Sequence, residues 1–350
     1  MAVKVYVVDD SAVVRQAIQH LLQDERDIEL IGSAPNAMLA AVAIRKRRPD
    51  VLLLDIEMPG MDGLTFLRQI MDEDPIPTVI CSTLSTSGSQ VALEALACGA
   101  VAVMAKPRMG LKQFLDESRL EVVQTLKAAA ASRPRAGAKP AAGGAASAAS
   151  AAPAKPRPAP TQAVAGVHAL SVNKPVVMGA STGGTQALEA VLTRLPVDCP
   201  GIAIVQHMPE NFTRMYAERL NKLCAMEVRE ARSGDRLQRG TVLIAPGGKH
   251  MQLTKSMGQY FVKVLDGPPV NRHKPSVDVL FRSAAEVAGK DVMGIILTGM
   301  GDDGARGMKA MHDGGARTVA QDEASCVVFG MPREAIKRGA ADYVLKDRMA

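Results

Sequence analysis

Lys174-Pro-Val-Val-Met-Gly-Ala-Ser-Thr-Gly-Gly-Thr185 is a short apolar run that ends in a Gly-flanked serine. Val176 to Met178 has the length and character of a buried strand, and Gly179 is expected to stop it. From Gln186 onward Ala187, Leu188, Val191, Leu192 and Leu195 recur at helical spacing. Ser181 therefore falls on a strand-to-helix turn. Gly179-Ala-Ser-Thr-Gly183 also fits G-x-S-x-G, the turn that raises a serine hydroxyl above the end of a sheet. Small neighbours let the chain bend sharply, and the first helical amides can face a developing oxyanion. Two plainer readings compete. The turn could simply cap the helix, or it could cradle a phosphate; against the latter stand the missing G-x-G-x-x-G order and the absence of a P-loop lysine.

Downstream of this turn, strand-like runs alternate with helical patterns, each run leading into polar or Gly-rich residues. Ile202 to Val205 precedes Gln206-His-Met-Pro209, and Thr241 to Ala245 precedes Pro-Gly-Gly-Lys-His250. Tyr260 to Val264 follows, then Val292 to Leu297 before Thr-Gly-Met-Gly-Asp-Asp-Gly304, and Thr318 to Ala320 before Gln-Asp-Glu323. This pattern predicts a second α/β domain with its chemistry at strand ends.

A serine needs a base, and the base needs a group that orients it. Of the histidines, only His207 and His250 follow apolar strands in the same domain as Ser181. His207 is better placed, one βα unit later on a strand expected beside that of the serine; His250 is the alternative. His273 sits in the basic loop Asn271-Arg-His-Lys274, and His312 on an expected surface helix. Asp302 and Asp303 both suit the third role, and their spacing does not choose between them. The order Ser, His, Asp differs from the Ser, Asp, His order of α/β-hydrolases.

Upstream, residues 2 to 125 show the same alternation, with strands expected at Val3–Val8, Ile28–Ser33, Val51–Leu54, Thr78–Cys81 and Val101–Met104. Ser11 caps a helix to Leu22. Asp9 and Asp10 follow the first strand, Asp55 the third, Ser82 the fourth and Lys106 the fifth. At the ligand-binding edge of a doubly wound sheet, three converging carboxylates call for a hard divalent cation, and oxygen-only ligands suit Mg2+. The hydroxyl and the lysine could hold phosphoryl oxygens, with Asp55 as the carboxylate acceptor.

The 350 residues are too many for one typical domain. Between Ala128 and Gly166 lie six prolines, five basic residues and no acidic ones, which predicts a flexible tether. Removing that segment takes the net charge from +6 to about +1. With no Trp to stack bases and the basicity confined to a tether, nucleic acid is not an expected partner. Five scattered cysteines without a C-x-x-C pair argue against a disulfide framework or zinc site and for a reducing cytoplasm. No apolar run is long enough for a membrane span, and the N-terminus is not a signal peptide.

Val-Asp-Asp-Ser11, Leu-Leu-Asp-Ile-Glu-Met-Pro-Gly-Met-Asp-Gly63 and Met-Ala-Lys-Pro107 resemble the receiver domain of two-component response regulators. The resemblance implies a flavodoxin-like doubly wound fold over 1–125, metal at Asp9, Asp10 and Asp55, phosphorylation of Asp55, and phosphate contacts from Ser82 and Lys106. The family's aromatic switch position corresponds to Val103. Residues 171–350 resemble the catalytic domain of the chemotaxis protein-glutamate methylesterases through Gly-Ala-Ser-Thr-Gly-Gly184, Gln-His-Met-Pro209, Ala-Pro-Gly-Gly-Lys-His250, Leu-Thr-Gly-Met-Gly-Asp-Asp-Gly304 and Gln-Asp-Glu-Ala-Ser-Cys-Val-Val-Phe-Gly-Met-Pro332. That resemblance implies a parallel-sheet α/β fold, with Ser181 as nucleophile, His207 as base, Asp303 as third member and the Met300 amide as oxyanion donor. Position 302, often Asn in that family, is Asp here. Residues 126–170 would be the linker.

The implied reaction is hydrolysis of glutamyl methyl esters on chemoreceptor cytoplasmic domains, with glutamine deamidation as a second activity. A chemotaxis histidine kinase would phosphorylate Asp55 and relieve a receiver packed over the catalytic cleft. Three other classes compete. A DNA-binding regulator would need a basic helix-turn-helix, which is not seen; an adaptor would tolerate Ser181→Ala; a nucleotide-binding enzyme would show dinucleotide affinity.

Overall fold

The computed structural model describes residues 2–58, 62–82, 86–106, 111–132 and 174–345. In the N-terminal part, strands and helices alternate strictly: β1 (Val3–Val8), α1 (Ala12–Leu22), β2 (Ile28–Ala34), α2 (Ala37–Lys46), β3 (Val51–Asp55), α3 (Gly63–Glu73), β4 (Thr78–Ser82), α4 (Thr86–Ala97), β5 (Ala102–Ala105) and α5 (Leu111–Ala130). The caps follow the sequence locally. Ser11 Oγ accepts the Val14 amide, Asn36 Oδ1 that of Leu39 and Asp62 Oδ1 that of Thr65. The strands form one parallel sheet in the order β2-β1-β3-β4-β5. Every residue of β3 is buried, as a central strand covered on both faces requires. The order reverses between β1 and β3, so the ends of these strands open a crevice where Asp9, Asp10 and Asp55 lie.

Helix α5 runs five residues past the expected end of the first domain at 125. Leu126 and Ala129 are buried in the same apolar cluster as Val5, Val7 and Leu53 of the sheet. The alanines that open the tether are also strong helix formers, so the helix continues until its apolar face ends. The remainder of the expected tether, from 133 to 170, falls outside the described residues.

The C-terminal part runs β6 (Val176–Ala180), α6 (Gly184–Leu192), β7 (Ile202–Gln206), α7 (Phe212–Leu223), β8 (Glu227–Glu230), β9 (Thr241–Ile244), β10 (His250–Ser256), β11 (Gln259–Leu265), α8 (Val277–Ala288), β12 (Met293–Ile296), α9 (Ala305–Asp313), β13 (Arg317–Gln321), α10 (Met331–Lys337) and β14 (Tyr343–Leu345). Seven of these strands form a parallel sheet ordered β14-β13-β12-β6-β7-β9-β8. From β6 the chain builds outward through β7 and later through β12 on the other side, so β6 borders the switch point.

Two local expectations change. Strand β6 does not stop at Gly179 but continues to Ala180, and α6 starts at Gly184 rather than Gln186. A Cβ on Gly179 would lie 2.2 Å from Val277 Cγ1, so this glycine admits the close approach of α8 instead of ending the strand. His250, expected only to follow a strand, itself begins one. It opens β10, which pairs antiparallel with β11 as a separate ribbon, His250 opposite Leu265.

The two sheets meet through α4, the residue Val101 just ahead of β5, α6 and α7. Leu93 and Leu96 of α4 belong to the same buried apolar cluster as Leu188, Leu192 and Tyr216. The Gly183 amide donates to the Val101 carbonyl at 3.3 Å, and Gln186 Nε2 donates to the Leu96 carbonyl at 2.9 Å. No described helix is long and apolar enough to cross a membrane.

Candidate functional site

Strands β6 and β7 pair so that Ala180 stands opposite Gln206. Ser181 and His207 therefore leave adjacent strands at the same level, and the His207 amide donates to the Ala180 carbonyl at 3.0 Å. Gln206 Nε2 ties the two turns together, donating to the carbonyls of Ser181 (2.9 Å) and His207 (3.0 Å). The loop after β12 closes the third side. The Ser181 amide donates to the Thr298 carbonyl at 3.0 Å, and Thr298 Oγ1 donates to the Thr182 carbonyl at 2.9 Å. Gly299 permits this approach: a Cβ there would sit 2.8 Å from Ser181 Cβ and 2.3 Å from Met331 Sδ. Met300 follows in the same loop, and its amide donates to no acceptor among the described residues.

His207 and Asp303 are joined directly. His207 Nε2 lies 2.8 Å from Asp303 Oδ2, while His207 Nδ1 is buried with no hydrogen-bond partner among the described residues. An ionised Asp303 accepts only, so Nε2 carries the proton and Nδ1 is left with a free lone pair. Asp303 is 1% exposed, yet its two oxygens also accept from Asn271 Nδ2 (2.7 Å), Ser276 Oγ (2.8 Å), the Val277 amide (2.7 Å) and the Asp278 amide (3.2 Å). Burial alone would raise its pKa, but the His207 bond and charge, with Asn271 and Ser276, hold it well below the usual carboxylate range. Two of these donors are first-turn amides of α8, which favour a negative charge at that end.

The structure separates the two aspartates that sequence spacing left equal. Asp302 turns outward, its half-exposed carboxylate 3.9 Å from Arg338 Nη2, and Asp303 turns inward to His207. His250, the alternative base, has both ring nitrogens engaged: Nε2 with the Pro268 carbonyl at 3.0 Å and Nδ1 with the Ser276 amide at 3.2 Å. It supports the turn ahead of α8. His312 is on the last turn of α9, near Asp313 and Asp342.

Sequence reasoning missed two residues. Asn271 bridges Asp303 and the buried Asp278, at 2.7 Å to each. His273, read as part of a basic loop, stacks on His207 with ring centroids 3.7 Å apart and planes within 15°. The available signal was the Asn in Asn271-Arg-His, a residue tolerant of the left-handed turn found there; nothing in the spacing tied that turn to His207.

On the N-terminal sheet, Asp9 is 1% exposed and Asp55 fully buried, with Asp10 exposed beside them. One oxygen from each of the three lies within 4.8 Å of the others. Lys106 Nζ donates to Asp55 Oδ2 at 2.6 Å and lies 3.3 Å from Asp9 Oδ2, an ion-pair distance without hydrogen-bond alignment. The Lys106 amide donates to the Ser82 carbonyl at 2.8 Å, holding the ends of β4 and β5 together. Burial pushes the Asp9 and Asp55 carboxyls up from their ordinary range, against the opposing pull of Lys106. A buried carboxylate oxygen with no hydrogen bond, inside a three-carboxylate cluster of hard donors, fits a divalent cation such as Mg2+. Val103, on β5, is partly buried and pairs with Ile80.

Residues 176–349 match the family described as CheB methylesterase, and residues 5–117 match the response regulator receiver domain. The protein-glutamate methylesterase/protein-glutamine glutaminase 1 of Xanthomonas oryzae pv. oryzae is 57% identical over 348 residues, covering 97% of this chain and 96% of its own. Its counterpart in Chromobacterium violaceum is 54% identical over 347 residues, covering 99% and 96%. Among solved structures, the Thermotoga maritima CheB methylesterase catalytic domain is 40% identical and covers 49% of this chain and 92% of its own, with a TM-score of 0.48.

Proposed function

The chain belongs to the CheB methylesterase family, and from that premise we propose that it hydrolyses glutamyl methyl esters on the cytoplasmic domains of chemoreceptors, with Ser181 as nucleophile, His207 as base and Asp303 as anchor of the base. The observation that carries this reading is the His207–Asp303 bond, which commits Nε2 to Asp303 and leaves Nδ1 open, at the level of Ser181 on the neighbouring strand.

His207 Nδ1 takes the Ser181 hydroxyl proton as Oγ attacks the ester carbonyl. The oxyanion of the tetrahedral intermediate faces the Met300 amide, a donor that needs no reorganisation. Asp303 stabilises the imidazolium formed at that moment. Collapse breaks the ester C–O bond, and His207 passes its proton to the departing methoxide, releasing methanol. Water then attacks the acyl-enzyme carbonyl and gives its proton to Nδ1; collapse breaks the acyl C–Oγ bond, His207 returns the proton to Ser181 Oγ, and the glutamate is released. A glutamine side chain follows the same course with ammonia as leaving group, in line with the double name of the relatives.

Residues 1–125 serve as the regulatory domain, with the helix to Ala130 and the tether leading to a catalytic domain over 171–350. Asp55 is the phosphate acceptor, with Lys106 and Ser82 at the incoming oxygens and Asp9, Asp10 and Asp55 holding Mg2+. When bound there, the cation supplies charge neutralisation for the phosphoryl group. Phosphorylation by the chemotaxis histidine kinase acts on the β4–β5 edge, whose other end holds the Ser181 turn through Val101. The enzyme works in the cytoplasm, where receptor and kinase domains are accessible.

Methanol release from methylated receptor membranes tests this, with and without a small-molecule phosphodonor and Mg2+. Wild type should release methanol and Ser181→Ala should not, while Asp55→Asn should lose only the stimulation. A Ser181→Ala variant as active as wild type would overturn the assignment.

A further inference from the structure

The His207 ring is held by one hydrogen bond, Nε2 to Asp303 at 2.8 Å. A single bond along one edge of a ring sets an axis but leaves the ring free to turn about it. Its plane must be set by something else. Across its face lies His273, with centroids 3.7 Å apart and an interplanar angle of 15°.

His273 closes a tight turn. Val270 and His273 exchange both backbone hydrogen bonds, at 3.1 and 3.0 Å. Between them Asn271 and Arg272 take left-handed φ values of +49° and +69°, as a type I′ turn demands. Arg272 has neither glycine's freedom nor asparagine's tolerance there, a strained conformation of the kind that persists where the surroundings over-determine it. The first central residue, Asn271, bonds Asp303 Oδ1 at 2.7 Å. One turn thus touches both the base and its carboxylate partner.

We propose that His273 is a positioning residue for the hydrolysis: its ring face, stacked on His207, fixes the imidazole plane in which Nε2 meets Asp303 and Nδ1 stays open for proton transfer. The inference rests on His207 being the base. No hydrogen bond to the His273 ring nitrogens is found among the described residues, so the face of the ring is what acts. Burial, with the charges of His207 and Arg272 against the pull of Asp303, pushes the His273 pKa down to about 3. The stacked ring is therefore neutral at working pH and offers an aromatic face, not a second positive charge, to the imidazolium.

The test uses the full-length protein with phosphodonor and Mg2+ on methylated receptor membranes, comparing His273→Phe, His273→Leu and His273→Ala with wild type and Ser181→Ala. Phe keeps a flat face; Leu keeps bulk without one. Misplacement of a reacting group by about 1 Å costs on the order of 100-fold, so kcat should fall roughly 10- to 100-fold in Leu and Ala at unchanged KM. Phe should stay within about threefold of wild type, with melting temperatures showing all tested variants folded. If Ala does not fold, the Leu–Phe comparison carries the result. A Leu variant with wild-type kcat, or a folded Phe variant as slow as Leu, overturns the proposal while leaving Ser181 and His207 in place. Activity in Ser181→Ala would overturn the underlying reading as well.

Discussion

The amide of Gly183, two residues beyond Ser181, donates to the carbonyl of Val101 across the boundary between the two sheets. The N-terminal domain thus bonds to the backbone of the Ser181 turn itself. Gln186 strengthens the contact from the first turns of α6, reaching the Leu96 carbonyl at 2.9 Å and that of Ala100 at 3.5 Å.

Removing that side chain should loosen the docked state without touching the chemistry. A hydrogen bond contributes about 1 kcal/mol net, roughly a fivefold change in the docking equilibrium. Gln186→Ala should therefore raise methanol release several-fold without phosphodonor and leave the fully stimulated rate unchanged. An unaltered basal rate would show that this contact does not restrain the enzyme.

The adjacent aspartates should separate sharply. Asp303→Asn presents an amide where Nε2–H needs an acceptor, a change that costs a Ser-His-Asp hydrolase on the order of 10⁴ in kcat. Asp302→Asn, altering only an exposed carboxylate near Arg338, should remain within about twofold, since exposed ion pairs contribute little. Steady-state methanol release on both variants, with circular dichroism to confirm folding, decides it.

Gly299→Ala should push on Ser181, since the new Cβ would lie 2.8 Å from Ser181 Cβ and 2.3 Å from Met331 Sδ. Displacing the nucleophile predicts a kcat loss of about 10- to 100-fold. A crystal structure of the variant should show the serine turn shifted.

Stability should fall on acidification through His273. Its folded-state pKa is about 3 against an ordinary 6.5, so between those values the unfolded chain binds a proton that the folded chain excludes. Its effect is absent above about pH 6.5 and destabilises progressively below it, by at most about 1.4 kcal/mol per pH unit. Asp303 acts in the same direction at lower pH: its depressed pKa contributes stability present above 3.8 and lost as pH falls through the folded value. Urea unfolding of the full-length chain at pH 7, 6 and 5 should show a steeper loss in wild type than in His273→Phe.

Magnesium binding should depend on Asp9, whose buried Oδ2 lacks a hydrogen bond. Isothermal calorimetry should detect Mg2+ binding to wild type and a loss of at least about tenfold in affinity for Asp9→Asn, the scale expected when one hard ligand of a carboxylate site is neutralised. Equal affinity in the two would place the cation elsewhere.

The alternation of strands and helices, the crevice carboxylates and the Ser181 turn were legible because each depends on neighbours in sequence: apolar period, cap and Gly flank. His207 was legible at one remove, because successive βα units place successive strands side by side. The strand that His250 opens was not legible, because it pairs with its partner only across a hairpin. The end of α5 was not legible at 125, because alanines serve helix and tether alike.

Composition and order by themselves determined two α/β units, the parallel sheets with polar residues at strand ends, and the residues proposed as nucleophile, base and phosphate acceptor. Spacing left Asp302 and Asp303 equal and the resemblance implied Asp303; only the tertiary structure turns Asp303 to His207 and Asp302 outward, seats His273 on His207 and brings Val101 to Gly183. The first depends on which way one loop turns against the N-terminus of α8, and the other two on contacts between segments far apart in the chain. Those directions follow from packing and hydrogen-bond geometry in three dimensions, for which residue spacing carries no record.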